Sequence, residues 1–372
     1  MIKIVHIAKP LAGVGVYIKL LSENLNPKEF KNYILCNKND DNIYLNDANK
    51  EKIEEKHIDI HREINFKIDF KCYQQIVSLL KEIKPNIVHC HSAKAGILGR
   101  LASSKLDLIC VYTPHAFSYL SAENKIKQFI FKKIEKSFKY FSSKTLACSK
   151  SEYERAYSDL KFPKAKILLW ENSISKHNPK KIANLTVHLP KEYICTIGRP
   201  SYQKNTELLI KSIYQVKKRI QDIHLVVLGI GLFSPSLKKV KDLIVELNLT
   251  TNITLIEWVS RDETISILES SLFFVSSSRY EGLSYAGLES IMLSKPGVLT
   301  NVDGNKDLID DNINGFLVDP DPQIFASKVI ELFGNKELLL KMSKASYRKF
   351  EKEFNIEINI KKLAQIYKSI VD

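Results

Sequence analysis

The sequence predicts an α/β protein of two doubly wound, parallel-sheet domains facing each other across a cleft, and three observations lead there. The chain of 372 residues exceeds what a single core of roughly 250–300 residues supports. Apolar runs of four to six residues without alternation, the pattern of strands buried on both faces, alternate with helical stretches throughout. A polar, proline-bearing stretch from about Ser173 to Lys191 separates these runs into two series.

The first series is IKIVHI (2–7), NYILC (32–36), NIVHC (86–90), LICVY (108–112), KTLAC (144–148) and KILLW (166–170). The second is YICTI (193–197), HLVVLG (224–229), NITLI (252–256), SLFFVS (271–276) and GFLV (315–318). The expected domains are therefore 1–175 and 192–355, joined by a linker over 176–191, with 356–372 a terminal helix returning to the first domain. In such sheets ligands bind beyond the carboxyl ends of the strands, so the cleft between the halves is the expected site.

At 44% hydrophobic and 26% charged residues, the composition is that of an ordinary globular protein. Lys and Arg number 56 and Asp and Glu 42, and the net charge of +14 favours anionic partners: nucleotides, nucleic acid or acidic lipid headgroups. Charge alone does not choose among them. The cysteines, Cys36, Cys72, Cys90, Cys110, Cys148 and Cys195, form no C-x-x-C pair, and the last four sit in strands as small apolar residues. MIKIVHIAKP reads as a strand rather than a signal peptide, and no run approaches the roughly 20 apolar residues of a membrane span. A reducing, cytoplasmic location is expected.

After the strand at 193–197 comes GRPSYQKN, which supplies Gly198, Arg199 and Lys204 ahead of a helix starting near Thr206. A glycine that admits close backbone approach, with two cations beside a helix amino terminus, makes a diphosphate clamp. The same residues also suit a basic loop that caps the helix through Asn205 or Thr206. After SLFFVS comes SSRYEGLSYAGLES (277–290), with Glu281 in the loop and Glu289 inside the following helix. Gly282, Leu283 and Ser284 expose amides at the helix start, and a carboxylate such as Glu289 can accept from two vicinal hydroxyls at once, as a ribose presents. Alternatively both acids are simply solvated. GLSYAG is not a G-x-S-x-G elbow, because its second glycine comes one residue late.

In the first half, TPHAFSY places His115 at a strand end, in either a structural or a cleft-facing role. His89 and His91 fall on one side of a strand end by period two, but metal binding needs a third ligand that spacing does not supply. No metal is expected. KPLAGVGVYIKLL carries Gly13 and Gly15 before a helix, and GIG stands at 229–231; neither completes G-x-G-x-x-G, which disfavours a dinucleotide oxidoreductase.

Taken together these stretches resemble the retaining glycosyltransferases of family 4, with GT-B architecture, over nearly the whole chain. VHCHSAKAGILGRLAS (88–103) and TPHAFSY resemble the bacterial branch that builds envelope, capsule and O-antigen polysaccharide. The resemblance implies that Gly13 approaches the donor diphosphate, that His115 contacts the donor sugar, and that Arg199 and Lys204 hold the diphosphate. It implies further that Glu281 contacts the transferred sugar and Glu289 the ribose. Two departures stand out: the usual glycine pair of the first loop is Ala12-Gly13, and the usual Asn-Gly before the linker is Asn172-Ser173. The implied reaction moves a hexose or N-acetylhexosamine from a nucleotide sugar, UDP-linked by family frequency, to a glycan acceptor that is commonly lipid-linked. It needs no metal or other cofactor, because cations stabilise the departing diphosphate. A nucleotide-sugar epimerase on the same fold is the alternative. A basic nucleic-acid-binding protein is the competitor from another class, but no recognition motif accompanies the charge.

One stretch remains. In NKIKQFIFKKIEKSFKYF (124–141), Ile126, Phe129, Ile130, Ile134, Phe138 and Phe141 form an apolar stripe, and Lys125, Lys132, Lys136 and Lys139 fall together on another face. Either the stripe is core and the lysines are solvated, or the lysines rest on an anionic membrane surface.

Overall fold

A computed structural model describes residues 1–38, 45–61, 63–177, 187–231 and 234–372, so the expected linker over 176–191 lies largely outside the described residues. The chain divides into two compact units, one of 1–175 with 355–372 and one of 176–354.

The first unit alternates β1 (Ile2–Ile7), α1 (Gly13–Asn24), β2 (Phe30–Cys36), β3 (Glu54–His57), α2 (Phe66–Ile83), β4 (Ile87–His91), α3 (Ala93–Lys105), β5 (Ile109–Thr113), α4 (Lys125–Ser137), β6 (Lys144–Ala147), α5 (Lys150–Ser158) and β7 (Ile167–Leu169). Its strands lie in the order β3-β2-β1-β4-β5-β6-β7, paired in parallel, and the order reverses between β1 and β4. Ile4, Val5, Ile34, Leu35, Ile87 and Val88 are fully buried, as strands covered on both faces require.

The second unit runs β8 (Ile194–Ile197), α6 (Thr206–Lys217), β9 (Leu225–Ile230), α7 (Leu237–Glu246), β10 (Ile253–Glu257), α8 (Arg261–Ser270), β11 (Phe274–Ser276), α9 (Tyr285–Met292), β12 (Gly297–Thr300), α10 (Asn305–Leu308), β13 (Gly315–Val318), α11 (Pro322–Gly334) and α12 (Lys336–Lys349). Its parallel sheet is ordered β10-β9-β8-β11-β12-β13, reversing between β8 and β11. The last helix, α13 (Ile356–Val371), belongs to the first unit. Its Asn359 donates to the Ser173 hydroxyl at 2.7 Å and accepts at its carbonyl from the Trp170 indole at 2.8 Å.

Two strands have no counterpart in the sequence reading. β3 is EEKH at the sheet edge, where one flank stays wet and no apolar run is needed. β12 is four buried residues, GVLT, directly after Pro296, and its Gly297 and Thr300 leave only two apolar side chains in a row.

The reading of 124–141 needs correction. Ile126, Phe129 and Ile130 are 70%, 62% and 47% exposed, and only Phe138 and Phe141 of the stripe pack inward. α4 is held instead by Glu135, whose carboxylate accepts from Arg100 at 3.0 Å and from the Tyr112 hydroxyl at 2.9 Å. The guanidinium of Arg100 lies between the Tyr112 and Phe138 rings. A paired, fully buried charge thus sets which face turns in, something apolar periodicity cannot register. Lys132 and Lys136 are consequently half-buried, Lys132 lies 3.6 Å from Asp159, and Lys139 falls in the turn beyond the helix. The outward side is apolar, carrying Lys127 and Lys133. No described helix is long and apolar enough to cross a membrane.

Candidate functional site

In the second unit the polar groups gather where the strand order reverses. β8 is followed by Gly198, whose amide donates to the Leu228 carbonyl at 2.8 Å. A Cβ at Gly198 would stand 2.9 Å from Lys204 Cε, so the glycine makes room for the lysine stem. Lys204 Nζ donates to Glu281 Oε1 at 2.7 Å, and Ser278 and Gln203 donate to the same carboxylate at 2.7 and 3.1 Å. The β11 loop closes on the β8 loop from below: the Ser277 hydroxyl donates to the Lys204 and Asn205 carbonyls at 3.1 and 3.0 Å. Behind Glu281 sits Gly304, at φ 77°, where a Cβ would come within 2.6 Å of Glu281 Cβ. Asn205 precedes α6 in the left-handed region and makes no side-chain cap, so the capping role considered for it is not seen.

Gly282 and Leu283 are buried, and Ser284 caps α9 by accepting from the Gly287 amide at 3.4 Å. Further along the helix, Glu289 is buried and pairs with Arg261 Nη1 at 2.8 Å. Burial raises its carboxyl pKa, and Arg261 opposes that rise. Exposed Trp258, after β10, stands against Gly229 and Gly231; a Cβ at Gly229 would lie 3.6 Å from the indole and 3.8 Å from the Gly198 amide. The structure thus brings Gly198, Lys204 and Glu281 into contact. It gives Glu289 a different partner and leaves Arg199 exposed beside Gly198. Sequence reasoning missed Gln203, Ser278, Arg261 and Trp258; the first two stand beside residues already singled out, and the other two sit in no recognised spacing. A shallow pocket bounded by His188, Pro190, Tyr193 and Ser270 lies at the strands' opposite, amino ends, away from these charges.

The first unit also concentrates polar groups at its reversal point. His6 of β1 and His89 of β4 are register partners, and with His91 they are completely buried. The third imidazole that spacing could not supply is therefore His6. Ring nitrogens of these three lie within 4.8 Å of one another. Half-buried His115 follows β5, with Nε2 3.2 Å from His91 Nδ1 and its ring edge-on to Tyr17. Burial pushes His6 down to about 4 and His115 to about 3, and holds His89 and His91 well below the usual imidazole range. The surrounding backbone is strained. Ala12, ahead of exposed Gly13, has φ 48° and ψ −128°, while Ser92, His115 and Ala116 have φ 60°, 54° and 75°. Such conformations cost about 1–3 kcal/mol each and persist where the surroundings over-determine them. Here Glu152 accepts from the Ala116 and Cys148 amides at 2.7 and 2.8 Å.

The chain also matches known proteins in sequence and fold. Residues 178–349 match the family described as Glycosyl transferases group 1, and residues 11–177 match Glycosyltransferase Family 4. The chain is 28% identical over 325 residues to the UDP-Gal:alpha-D-GlcNAc-diphosphoundecaprenol alpha-1,3-galactosyltransferase of Escherichia coli, covering 83% of this chain and 82% of that protein. The O-antigen biosynthesis glycosyltransferase WbnH of Escherichia coli is 27% identical, with 82% and 81% covered. Among solved structures, sucrose-phosphate synthase from Thermosynechococcus elongatus superposes with a TM-score of 0.86 at 18% identity, covering 100% of this chain and 99% of that one. Anabaena HepE in complex with UDP and glucose does so with a TM-score of 0.78 at 15% identity, covering 99% and 100%.

Proposed function

This chain belongs to the GT-B glycosyltransferases of the family 4 type that serve polysaccharide and O-antigen biosynthesis, and from that premise we propose a donor, an acceptor and a mechanism. The donor is a UDP-linked hexose or N-acetylhexosamine, and the acceptor is a lipid-linked glycan. The galactosyltransferase relative carries both chemistries in its name, and HepE is solved with UDP-glucose.

The observation that carries the reading is Lys204 against Gly198, held at 2.7 Å by Glu281. A diphosphate arriving there exchanges one anion for another at the lysine, with Arg199 adding a second cation. As the sugar departs through an oxocarbenium-like state, charge grows on the diphosphate, and these preplaced cations stabilise it where it develops. Glu281, released from Lys204, contacts the sugar; Glu289 takes the ribose hydroxyls, with Trp258 and Arg261 nearby. The family resemblance assigns Gly13 to the donor diphosphate, and His115 accepts from a sugar hydroxyl. The route is retaining and metal-independent, with no covalent intermediate on Glu281.

The acceptor is met at an anionic bilayer surface on which α4 lies peripherally, through its outward Ile126, Phe129 and Ile130. This replaces the lysine face named from sequence as the contact; Lys125, Lys127, Lys133 and Lys136 rim it. Exposed apolar side chains bordered by cations suit the headgroup boundary.

The deciding experiment is a thermal-shift panel of nucleotide sugars, followed by transfer to an undecaprenyl-diphosphate-linked sugar with the product anomer read by NMR and EDTA present. A UDP-sugar at a hundredfold excess over Kd stabilises by about 2.7 kcal/mol. Stabilisation by another nucleotide alone overturns the donor assignment; turnover to a new free nucleotide sugar without acceptor selects the epimerase. Sedimentation equal on neutral and anionic liposomes removes the membrane contact.

A further inference from the structure

The buried histidines of the first unit form more than a packed cluster. His6 Nε2 lies 3.2 Å from Asn32 Oδ1, His6 Nδ1 lies 3.0 Å from His91 Nε2, and His91 Nδ1 lies 3.2 Å from His115 Nε2. These contacts make one unbranched line from Asn32 on β2, through β1 and β4, to the loop after β5. His89 stands beside it, its two nitrogens occupied by the Tyr367 and Thr113 hydroxyls at 2.8 Å each.

We infer that this line orders the protons and fixes His115 as the Nε2–H tautomer, making Asn32, His6 and His91 positioning residues for the sugar-contacting His115. The logic is one of donors and acceptors. Every ring in the line is neutral, so each carries a single N–H. The amide oxygen of Asn32 accepts from His6 Nε2, which leaves His6 Nδ1 a lone pair. His91 Nε2 donates to that lone pair, leaving Nδ1 as its acceptor. His115 Nε2 donates in turn, so its remaining nitrogen, Nδ1, is an acceptor. Every bond in the line is satisfied in this order, and one amide oxygen at its far end sets the direction. His115 then meets a donor-sugar hydroxyl as an acceptor, not as a cation.

The same order argues against a metal among His6, His89 and His91. The lone pairs of His6 and His91 receive N–H bonds from within the line, while both His89 nitrogens already face hydroxyls.

This inference rests on the proposal that His115 contacts the donor sugar, and its test separates the two. The full chain is prepared with 15N-histidine, and 15N shifts distinguish protonated from unprotonated ring nitrogens; loss of a signal in His115→Gln assigns it. The expected wild-type result is protonated Nε2 and unprotonated Nδ1 at His115. Asn32→Leu removes the terminal acceptor, about the worth of one buried hydrogen bond, so His115 becomes a tautomer mixture and kcat/KM falls about fivefold. Asn32→Asp is nearly isosteric, yet its carboxylate draws a proton onto His6. His6 then donates from both nitrogens, the line reverses, and His115 presents Nδ1–H. That variant should lose at least about tenfold, more than Asn32→Leu, because a wrong tautomer is worse than a mixed one. A purely packing role predicts the opposite ranking. A mixed or Nδ1-protonated His115 in the wild type, or one equivalent of tightly held zinc, overturns the relay and leaves the transferase reading standing. Ordered tautomers with undiminished turnover in His115→Gln instead sink the sugar contact and leave the relay intact.

Discussion

The two units place their polar clusters at equivalent points, where strand order reverses, β1/β4 in one and β8/β11 in the other. Their chemistry differs completely. The first unit holds neutral imidazoles closed by an amide and two hydroxyls. The second holds ion pairs, Lys204 with Glu281 and Arg261 with Glu289. Desolvation explains the contrast. His6, His89 and His91 have no exposure, and an uncompensated charge there costs several kcal/mol. The side chains of Lys204 and Arg261 keep 23% and 62% of theirs, so their charges stay hydrated while reaching a buried carboxylate. One unit buries neutral groups, and the other keeps its cations hydrated against buried carboxylates.

Four experiments would break or sharpen that comparison. The largest effect belongs to the ionic cluster: Arg199→Ala and Lys204→Ala should each lower kcat about a thousandfold, some 3–4 kcal/mol of barrier. Normal turnover in either, measured at saturating donor, removes the charge-stabilising role.

Next is the acid response of the neutral histidine cluster. Folding favours uncharged His6, whose pKa falls from 6.5 to about 4, so the unfolded chain binds more protons across that window. Stability is therefore intact above pH 6.5 and declines as pH drops towards 4, reaching about 3 kcal/mol from His6 alone. Urea unfolding at pH 7, 6 and 5 checks this, and a flat midpoint would mean that the cluster already carries charge.

Glu289 supplies the third test. With Glu289 proposed to hold the donor ribose as a carboxylate and burial raising its pKa, donor KM should climb as pH falls from a higher pH than an ordinary carboxyl dictates. Glu289→Gln should raise KM roughly tenfold with kcat little changed, and should erase that pH dependence. A KM equally pH-dependent in the variant assigns the titration elsewhere.

The smallest effect is at Ala12, held at φ 48° and ψ −128°. Glycine there relieves strain of about 1–3 kcal/mol while adding about 0.4–1 kcal/mol of unfolded-state entropy, so Ala12→Gly should stabilise by about 1 kcal/mol. A lowered Tm would show that the loop does not require that conformation.

Legibility followed the same divide. Most strands could be read directly, as could the segments that carry Gly198, Lys204, Glu281 and Glu289, but not Arg261 or the pairings among them. The Lys204 and Glu281 loops each follow an apolar strand, and the two glutamates share one short segment. The histidine line could not be read, because its members come from four strands' worth of sequence and His6 lies 85 residues from His91. α4 was misread because Arg100 and Glu135, distant in sequence and charged, turn inward in place of the apolar stripe. Edge strand β3 was invisible for lack of any apolar pattern.

Sequence by itself determined the parallel α/β architecture, the strand–loop–helix segments and which charged side chains stand at their ends, since these follow from local periodicity and turn chemistry. Only the tertiary structure decided that Lys204 meets Glu281, that Glu289 meets Arg261, that α4 turns its isoleucines outward, and that three imidazoles form one line from Asn32 to His115 with His89 beside it. Those outcomes depend on strand order and desolvation, which act between residues far apart in the chain.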